Sequence, residues 1–412
     1  MKKKFGVDFD FATTTVPQTA RRGFWSLFVV MVGFTFFSAS MWAGATLGHG
    51  LNLSGFIGAL LIGGLILMVY TSTLAYVGSK TGLSMDLLAR RSFGAYGSYL
   101  PSAMIGLTQL GWFGVGVAML AYPIAGVINV HPWVIVVIGG LLMTSTAYWG
   151  IKAITILSFV SVPAIAVLGT ISVTMASTEA GGILNVFSDT RDMTMFAGVA
   201  IVVGSFISGG TATPNFVRFS RTAKIAVITT AIAFFLGNSL MFIFGAVGGA
   251  FAGDGDIFHV MMAQGLLIPA IIILGLNIWT TNDSGIYSAG LGLTNITKVP
   301  RKFTTLGSGI LGTILAVWLY YNFVGWLIIL STALPPIGVI LALDYFFNKE
   351  KYSKEEDTTL KVNWFAIAGV VFGAIAAHIL GNVMGFGITA INGMVVAAII
   401  YFIGEAVKKS QR

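Results

Sequence analysis

The sequence predicts an all-α membrane protein that crosses a bilayer many times, and three observations support this fold class. Of the 412 residues, 56% are hydrophobic and only 9% are charged, about a third of the charged fraction of an ordinary soluble chain. Runs of roughly 20 apolar residues, the length that crosses the hydrocarbon core, recur along almost the whole chain. Nearly all basic residues stand in short segments between these runs, as in polytopic membrane proteins.

We predict twelve spans from the apolar runs, each long enough for a transmembrane helix. An even number of crossings places both chain ends on the same side of the bilayer. In order, the spans cover residues 23–48, 55–79, 99–127, 132–150, 153–176, 194–217, 223–251, 266–297, 304–321, 324–347, 362–381 and 386–407.

The lysines and arginines orient these spans. With the N-terminus inside, 22 of the 23 Lys and Arg residues fall on the inner side, and only Arg191 falls outside. A different number of crossings would scramble this asymmetry, which follows the positive-inside rule. We therefore expect both termini in the cytoplasm. We expect the net charge of +8 to attract anionic lipid headgroups, and no nucleic-acid partner is expected.

The first 22 residues are polar and form a predicted cytoplasmic tail. The apolar run that begins near Gly23 is too long for the core of a cleaved signal peptide, so we expect it to remain as span 1. The chain has no cysteine, which excludes disulfides and thiolate chemistry. Its four histidines are scattered without metal-ligand spacing.

Two connecting segments predict short helices outside the spans. MDLLARRSFGAYG, after span 2, separates apolar from basic residues when helical, which is typical of a helix lying on the inner membrane surface. DIFHVMMAQG, before span 8, would be its outer counterpart. Each follows the second span of a block of five, which indicates two related halves.

Spans 1 and 6 are rich in small residues. They read FVVMVGFTFFSASMWAGATLG and VAIVVGSFISGGTATPNFVRF. Glycine and proline allow a helix to open, and the freed backbone groups must then face protein, ligand or water. Small residues also permit close helix packing. Because the two spans hold equivalent positions in the two halves, we favour paired interruptions that form a site at the membrane midplane.

Spans 3 and 6 supply groups that suit a planar ring. Gln109 and Trp112 lie three residues apart on one face of span 3, where an amide can bond the edge of a ring and an indole can stack on it. Tryptophan also favours membrane interfaces, but Trp112 falls near the centre of its span. Phe206 would cover the other side of the ring. Its polar and small neighbours are Ser205, Ser208 and Gly209.

Span 8 carries Asn277, Thr280 and Thr281 on one face. With loosened carbonyls of span 1, these oxygens would form an uncharged cage for a desolvated monovalent cation, for which sodium is the natural candidate. Threonine hydroxyls also bond back to their own helix. Asp283 is the only acid deep in the predicted core. It is either a proton relay or a partner in a helix-to-helix hydrogen bond, and we favour the second role.

These features favour a secondary transporter over other membrane proteins. The sequence has no filter-like segment typical of a channel and no Walker motif for ATP-driven transport. An embedded enzyme would need paired acids or a histidine cluster within the spans. The scarcity of buried charge favours a neutral substrate.

Long segments in the same order and spacing resemble the nucleobase-cation symporter-1 family, and within it the bacterial cytosine permeases. They include TFFSASMW, LTQLGWFGVGVAM, VVGSFISGGTATPNFVRF, LGLNIWTTNDSGIYSAGLG and YNFVGWLIILSTALPPIG, and the resemblance runs from about Val16 to Trp364. It implies a LeuT-like fold, with inverted five-helix repeats at residues 23–176 and 194–348, discontinuous helices 1 and 6, and two peripheral helices at 362–407.

The resemblance also implies roles for the site residues. The nucleobase would stack between Trp112 and Phe206, with its polar edge against Gln109, Asn277 and backbone near Ser205 and Gly209. Sodium would bind the carbonyls of two residues in span 1 and three side chains in span 8. These sodium ligands are Gly33, Phe37, Asn277, Thr280 and Thr281.

The function implied is sodium-coupled uptake of cytosine by alternating access, in the inner membrane of a bacterium. Cytosine as the substrate rests on the resemblance, because the residues themselves support only stacking and amide contacts. The alternative is proton-coupled transport of another planar ring, such as uracil, a purine or a hydantoin, which would give Asp283 the coupling role. No obligatory protein partner is inferred.

Overall fold

The computed structural model describes residues 11–148, 151–187, 193–253, 257–353 and 360–410. Within these residues its regular secondary structure is helical. Tail residues 1–10 and Arg191, which enter the topology prediction, lie outside the described residues. The long apolar helices form because their backbone groups must be satisfied within each segment where water is absent.

Nineteen α-helices follow one another along the described part of the chain. They are α1 (Phe24–Thr35), α2 (Ser38–Gly50), α3 (Leu53–Thr81), α4 (Met85–Phe93), α5 (Tyr99–Ile128), α6 (Pro132–Tyr148), α7 (Ile151–Glu179), α8 (Met195–Thr211), α9 (Pro214–Val217), α10 (Ala223–Ala231), α11 (Asn238–Ala252), α12 (Ile257–Ala263), α13 (Leu267–Thr297), α14 (Arg301–Tyr321), α15 (Phe323–Ala333), α16 (Pro335–Phe347), α17 (Glu350–Ser353), α18 (Trp364–Ala376) and α19 (Thr389–Ser410).

The helices follow the predicted spans closely. Span 1 is the pair α1 and α2, which meet at a bend of 46°. Within the described residues, nine helical stretches are long and apolar enough to cross a membrane, and this pair makes a tenth. The other predicted crossings are α6, with 17 residues, and α13, which is longer but carries many polar side chains. The all-helical, multi-span architecture is confirmed, and the count of twelve stays a prediction.

Both ends of the described chain lie on one face of the molecule, here called the terminal face. The N–H of Val16 donates to the carbonyl of Gly82 (3.0 Å), just before α4 begins. At the other end of α4, the carbonyl of Phe93 accepts from the N–H of Asn363 (2.7 Å). Lys408, near the end of α19, donates to the side chain of Asn363 (3.4 Å). The face across the molecule is called the opposite face.

Helix α4 differs from its prediction as a helix lying on the membrane surface. Met85, Asp86, Leu88 and Phe93 are all buried, because α4 is packed between α5, α13, α16 and α18. The carboxylate of Asp86 accepts a hydrogen bond from Ser102 Oγ (2.6 Å). Burial raises the pKa of this carboxyl to about 6, although the bond from Ser102 opposes the shift. The apolar face of α4 thus packs against neighbouring helices, while Arg90 and Arg91 stay partly exposed.

Candidate functional site

The helical hydrogen bonding of span 1 stops between α1 and α2. The N–H of Phe37 donates to a carbonyl only two residues earlier (3.0 Å), and the N–H of Ser38 donates to Asn277 Oδ1 of α13 (2.9 Å). In a continuous helix these two groups would bond the carbonyls of Gly33 and Phe34. The break therefore releases both carbonyls from the helix in the interior of the protein.

Asn277 satisfies both sides of this break. Its Oδ1 accepts from the N–H and the hydroxyl of Ser38, at 2.9 and 3.0 Å, and its Nδ2 donates to the carbonyl of Phe36. The side chain is fully buried. An unpaired backbone group in the hydrocarbon region costs several kcal/mol, so one amide stabilises a conformation that lipid alone would not permit.

The predicted sodium ligands meet at the break in part. The released carbonyl of Gly33 lies 3.4 Å from Thr281 Oγ1, next to Asn277. The carbonyl of Phe37 accepts from the first turn of α2 (2.9 Å), and Thr280 Oγ1 bonds back to the carbonyl of Asn277 (2.7 Å). The described residues hold no cluster of three or more acidic, histidine or cysteine side chains. The oxygens at the break are uncharged, a donor set that suits a monovalent cation.

A π-helical turn brings a further residue to the break. Residues Ile232–Gly237, between α10 and α11, are π-helical, a deviation frequent at functional sites. The turn ends at Asn238, whose Oδ1 accepts from Ser40 Oγ (2.8 Å) near the start of α2. Sequence reasoning assigned no role to Asn238. The only available signal was its place in the segment FFLGNSL, where an amide stands within an apolar run.

A small cavity lies beside the break, enclosed by α1, α5, α8, α13 and the link between α1 and α2. Its volume is about 20 Å³, room for about one water molecule. Six of the seven predicted substrate-binding residues line it, whereas Asn277 lies instead at the helix break. The lining residues are Phe34, Phe37, Gln109, Trp112, Phe113, Ser205, Phe206, Ser208, Gly209, Thr281, Asn282 and Gly285.

Aromatic rings form most of the cavity wall. The ring of Phe37 packs edge-on against both Trp112 and Phe206, with centroid distances of 5.8 and 6.4 Å. A ring-shaped ligand that stacks on Trp112 and Phe206 must therefore displace Phe37. Only the carbonyl of Phe37 was predicted to belong to the site, although two phenylalanines stand directly before Ser38 in the segment TFFSAS.

Two amides give the cavity its polarity. Gln109 Nε2 donates to Ser208 Oγ (2.9 Å), which joins α5 to α8. Asn282 donates to the carbonyl of Phe113 (3.1 Å), and its buried Oδ1 has no hydrogen-bond partner among the described residues. This oxygen lies against Gly116 of α5, and a buried acceptor without a partner costs about 1–3 kcal/mol. Asn282 was not predicted from the sequence, in which the neighbouring Asp283 was the candidate.

Span 6 is interrupted later than the sequence predicted. Helix α8 runs through Gly209 and Gly210 to Thr211, and α9 resumes at Pro214, so residues 195–217 form one crossing with a short break at residues 212–213. The glycines serve close packing instead, because a Cβ on Gly209 would lie 2.7 Å from the ring of Phe34. The backbone near Gly209, expected to be exposed for substrate contacts, is thus part of a regular helix.

Asp283 faces away from the cavity. Its Oδ1 accepts from Thr146 Oγ1 of α6 (2.7 Å), and the same hydroxyl accepts from Trp279 Nε1 (2.7 Å). The acid therefore joins α13 to α6, which is the helix-to-helix role that the sequence analysis favoured.

Stacked aromatic residues close the cavity toward the opposite face. Trp112 contacts Phe323 (6.0 Å between centroids), which stacks on Trp42 at 4.4 Å. Trp42 in turn contacts Tyr320 at 4.8 Å, and Tyr320 stacks on Tyr122 at 4.5 Å. We call these five residues the aromatic column. It joins α2, α5, α14 and α15, so its rings must separate before a solute can enter from that face.

A second barrier, here called the Arg218 barrier, closes the cavity toward the terminal face. It consists of Phe34, Phe216, Tyr287 and Arg218. Phe34 packs on Phe216 of α9 (5.0 Å between centroids), and Phe216 contacts Tyr287 of α13 at 6.3 Å. The hydroxyl of Tyr287 accepts from Arg218 Nη2 (3.1 Å), and Arg218 Nη1 donates to the carbonyl of Phe11 (2.7 Å). Arg218 is fully buried, so the N-terminal segment helps to cover a cation at this end of the site.

Comparison with known proteins identifies the family. The profile of the family described as "Permease for cytosine/purines, uracil, thiamine, allantoin" matches residues 15–404. The chain belongs to this family. The cytosine permease of Escherichia coli (strain K12) is 51% identical over 399 residues, covering 96% of this chain and 94% of that protein. The hydantoin permease of Microbacterium maritypicum is 22% identical and covers 82% of this chain and 75% of its own.

Solved structures agree on the fold. Mhp1, a nucleobase-cation-symport-1 family transporter in a closed conformation with bromovinylhydantoin bound, aligns with a TM-score of 0.82 and 18% identity, covering 96% of this chain and 94% of that one. A Na+-coupled sialic acid symporter aligns with a TM-score of 0.69 and 15% identity, over 97% and 92%. The predicted LeuT-like fold and family are confirmed. This family member is a multi-pass membrane transporter and not an enzyme, since its relatives are permeases.

Proposed function

We propose that this transporter takes up cytosine together with sodium, by alternating access, across the cytoplasmic membrane of a bacterium. The observation that carries the proposal is the position of the cavity. Trp112, Phe206 and Gln109 line it directly beside the break at which Gly33 and Thr281 bring uncharged oxygens together. The 51% identity to the cytosine permease of Escherichia coli supports cytosine as the substrate.

The substrate step follows from the cavity wall. Displacement of the Phe37 ring opens a space between Trp112 and Phe206 in which a flat base stacks, an interaction worth roughly 1–3 kcal/mol per base. Gln109 then exchanges its bond with Ser208 for the polar edge of the base. Asn282 supplies a second amide at the same cavity. All these groups are neutral, which matches an uncharged nucleobase.

The sodium step uses the break itself. Gly33 and Thr281 lie on α1 and α13, so a cation held by their oxygens draws the two helices together. Phe37 follows directly in the same link and its ring occupies the cavity. Sodium and substrate thus act on the same link between α1 and α2, and a coupling free energy of typically 1–3 kcal/mol makes each ligand favour the binding of the other.

Alternating access follows from the two barriers. The aromatic column closes the cavity toward the opposite face, and the Arg218 barrier closes it toward the terminal face. We propose that the terminal face is cytoplasmic, so that uptake opens the aromatic column first and the Arg218 barrier second. Rocking of one helix bundle against the other around a central site opens only one barrier at a time.

Uptake of labelled cytosine into proteoliposomes under separately imposed gradients tests this function. We expect accumulation driven by an inward sodium gradient, inhibition by unlabelled cytosine, and little effect of a proton gradient. Asp283→Asn should retain sodium-driven uptake, because the acid bonds Thr146 and does not reach the cavity. Uptake that ignores sodium, follows the proton gradient and is lost in Asp283→Asn would establish the proton-coupled alternative. Stronger inhibition by uracil, a purine or a hydantoin would replace cytosine as the substrate.

A further inference from the structure

An apolar groove opens on the outer side of the helix bundle, away from the proposed transport site. It lies between α3, α16 and α19 and has a volume of about 370 Å³. Apart from Tyr70 and Thr73, every side chain around it is apolar or absent. The lining residues are Leu65, Ile66, Val69, Tyr70, Thr73, Gly338, Val339, Ala342, Ile391 and Met394.

The groove faces the surroundings of the bundle. Leu65 and Val69 are 50% and 56% exposed, and Ile391 on the far wall is 39% exposed. All three helices belong to stretches that are long and apolar enough to cross a membrane, so in a bilayer these side chains would face hydrocarbon chains. The groove is therefore a place where an acyl chain can enter between protein helices.

The wall formed by α3 leads from the groove to a lysine. Val69, Thr73, Tyr76 and Lys80 are spaced i, i+4, i+7 and i+11 and share one face of the helix. Lys80 is exposed in the last turn of α3, and its Nζ lies 5.8 Å from the centroid of the Tyr76 ring. At 1.5 Å per residue, Lys80 lies about 10 Å from Thr73 along the axis, toward the terminal face.

Helix α16 shows the same order of groove-lining residues, an aromatic ring and a lysine. Val339 and Ala342 line the groove, Phe346 follows one turn later on the same face, and exposed Lys349 comes directly after the helix. Lys349 Nζ lies 5.9 Å from the centroid of the Phe346 ring.

On the side of the groove nearer the terminal face, α3 and α16 contact each other through one aromatic residue each. The rings of Tyr76 and Phe346 stack with centroids 6.0 Å apart and an interplanar angle of 16°. Each of the two stacked rings therefore has one lysine ammonium group over it, and both rings follow the groove-lining residues of their helices in the direction of the terminal face. A hydrocarbon slot about 10 Å below a pair of cations matches the two ends of an anionic phospholipid.

We propose that the groove binds one anionic phospholipid of the leaflet at the terminal face. One acyl chain lies in the groove, and the phosphate group lies between Lys80 and Lys349. Basic side chains near an anionic membrane surface contribute about 1 kcal/mol each, which is about fivefold in affinity per lysine.

The bound chain would contact a joint between moving parts of the transporter. Tyr70 on the groove wall exchanges a hydrogen bond with Thr211 at the end of α8 (2.7 Å). The Tyr70 hydroxyl also fits against Gly338, where a Cβ would lie only 2.0 Å away. A lipid that holds α3 against α16 therefore affects the rate of opening next to span 6. This consequence, unlike the lipid binding itself, rests on the proposed function.

Native mass spectrometry of the purified full-length protein, titrated with phosphatidylglycerol or phosphatidylcholine, tests the site. We expect one tightly bound phosphatidylglycerol. The double variant Lys80→Gln/Lys349→Gln should weaken that binding about 25-fold, toward the affinity for phosphatidylcholine. The matched control is Lys302→Gln. Lys302 lies over Tyr148 in the same way (4.8 Å to the ring centroid) on the terminal face, far from the groove, and its removal should leave the binding unchanged.

A groove-filling variant tests the acyl-chain part separately. Ala342→Trp should reduce binding of both lipids, whereas Ile314→Trp, at a site on α14 that is 60% exposed, should not. Equal binding of the two lipids by the natural protein, or unchanged phosphatidylglycerol binding in the double lysine variant, would overturn the proposal. Because bound lipid is counted directly, a failure of cytosine uptake would overturn the proposed function and leave this site standing.

Discussion

The two interrupted helices of the site, α1–α2 and α8–α9, are similar in sequence character and different in structure. Both are rich in glycine and small polar residues. The first bends by 46° and releases the carbonyls of Gly33 and Phe34 within the protein interior. The second remains helical through Gly210 and is interrupted only briefly before Pro214. The first helix is thus broken at Phe36 and Phe37, whereas the glycines of the second let it approach its neighbours.

From this difference we propose that the two helices hold different ligands. The open backbone of α1–α2 provides uncharged oxygens beside Thr281, which suits a cation. The backbone of α8 is helical through Gly209 and Gly210. This helix therefore contributes the Phe206 ring and the surface of Gly209, which suit a planar substrate. Variants in each helix should therefore separate sodium binding from substrate binding.

The largest effect is expected for Asn277→Ala. This change leaves the N–H of Ser38 and the carbonyl of Phe36 without their partner in the membrane interior, at a cost of several kcal/mol. We expect no detectable uptake and a lower melting temperature of the purified protein. Asn322→Ala removes an amide that only bonds its own helix at Trp318 (2.9 Å), and should behave like the natural protein. Normal uptake by Asn277→Ala would show that the break is not held by this amide.

Trp112→Ala should weaken substrate binding about 100-fold, the upper end of the range for loss of a stacked base. Sodium binding should persist, because the break between α1 and α2 does not include Trp112. Calorimetric titration of cytosine and of sodium checks both expectations, and size-exclusion chromatography shows that the variant is folded. Retained cytosine affinity would remove the stacking role.

Gly209→Val tests the close approach of α8. Its side chain would collide with the Phe34 ring, which lies 2.7 Å from the position of the first added carbon. We expect roughly tenfold weaker cytosine binding, an estimate from the 1–3 kcal/mol typical of overpacking, with an unchanged dependence on sodium. Gly307→Val in α14, where nothing lies within 4 Å, is the control for a valine in a membrane helix. A shift in sodium affinity instead would mean that α8 shares the cation site.

The smallest effect separates two adjacent hydroxyls. Thr281 Oγ1 points to the carbonyl of Gly33, whereas Thr280 Oγ1 bonds back within α13. Thr281→Ala should raise the sodium concentration for half-maximal uptake about fivefold, the loss of about 1 kcal/mol. Thr280→Ala should change it less than about twofold on the same scale. The reverse order would support the resemblance-based assignment of Thr280 over the geometry.

Some of this site follows from sequence because it depends on local spacing. Gln109 and Trp112 share a helix face at any rotation of α5, so three residues of spacing were enough to group them. The family resemblance placed Phe206 opposite them, and the structure brings all three to one cavity. The helix bounds were also predictable, since apolar length and flanking charge determine where a chain enters and leaves the bilayer.

Other features depend on contacts between distant helices and have no local signature. A segment rich in small residues reads the same whether its helix breaks, as after Thr35, or packs closely, as at Gly209. The side chains of neighbouring helices determine which of the two occurs. Asn277 hydrogen-bonds the backbone at the break between α1 and α2, whereas the Phe34 ring fills the space beside Gly209. The burial of α4 and the position of Asn238 are likewise set by neighbours that lie far away in the sequence.

The buried guanidinium of Arg218 has a consequence for the assembly of the protein. Its hydrogen-bond partners include the carbonyls of Phe11 and Asn215 and the hydroxyl of Tyr287, so they come from the N-terminal segment, from α9 and from α13. A buried cation is costly until such partners surround it. During synthesis, Tyr287 follows Arg218 by 69 residues. The set of partners around the arginine is therefore complete only once α13 has joined the helices that precede it.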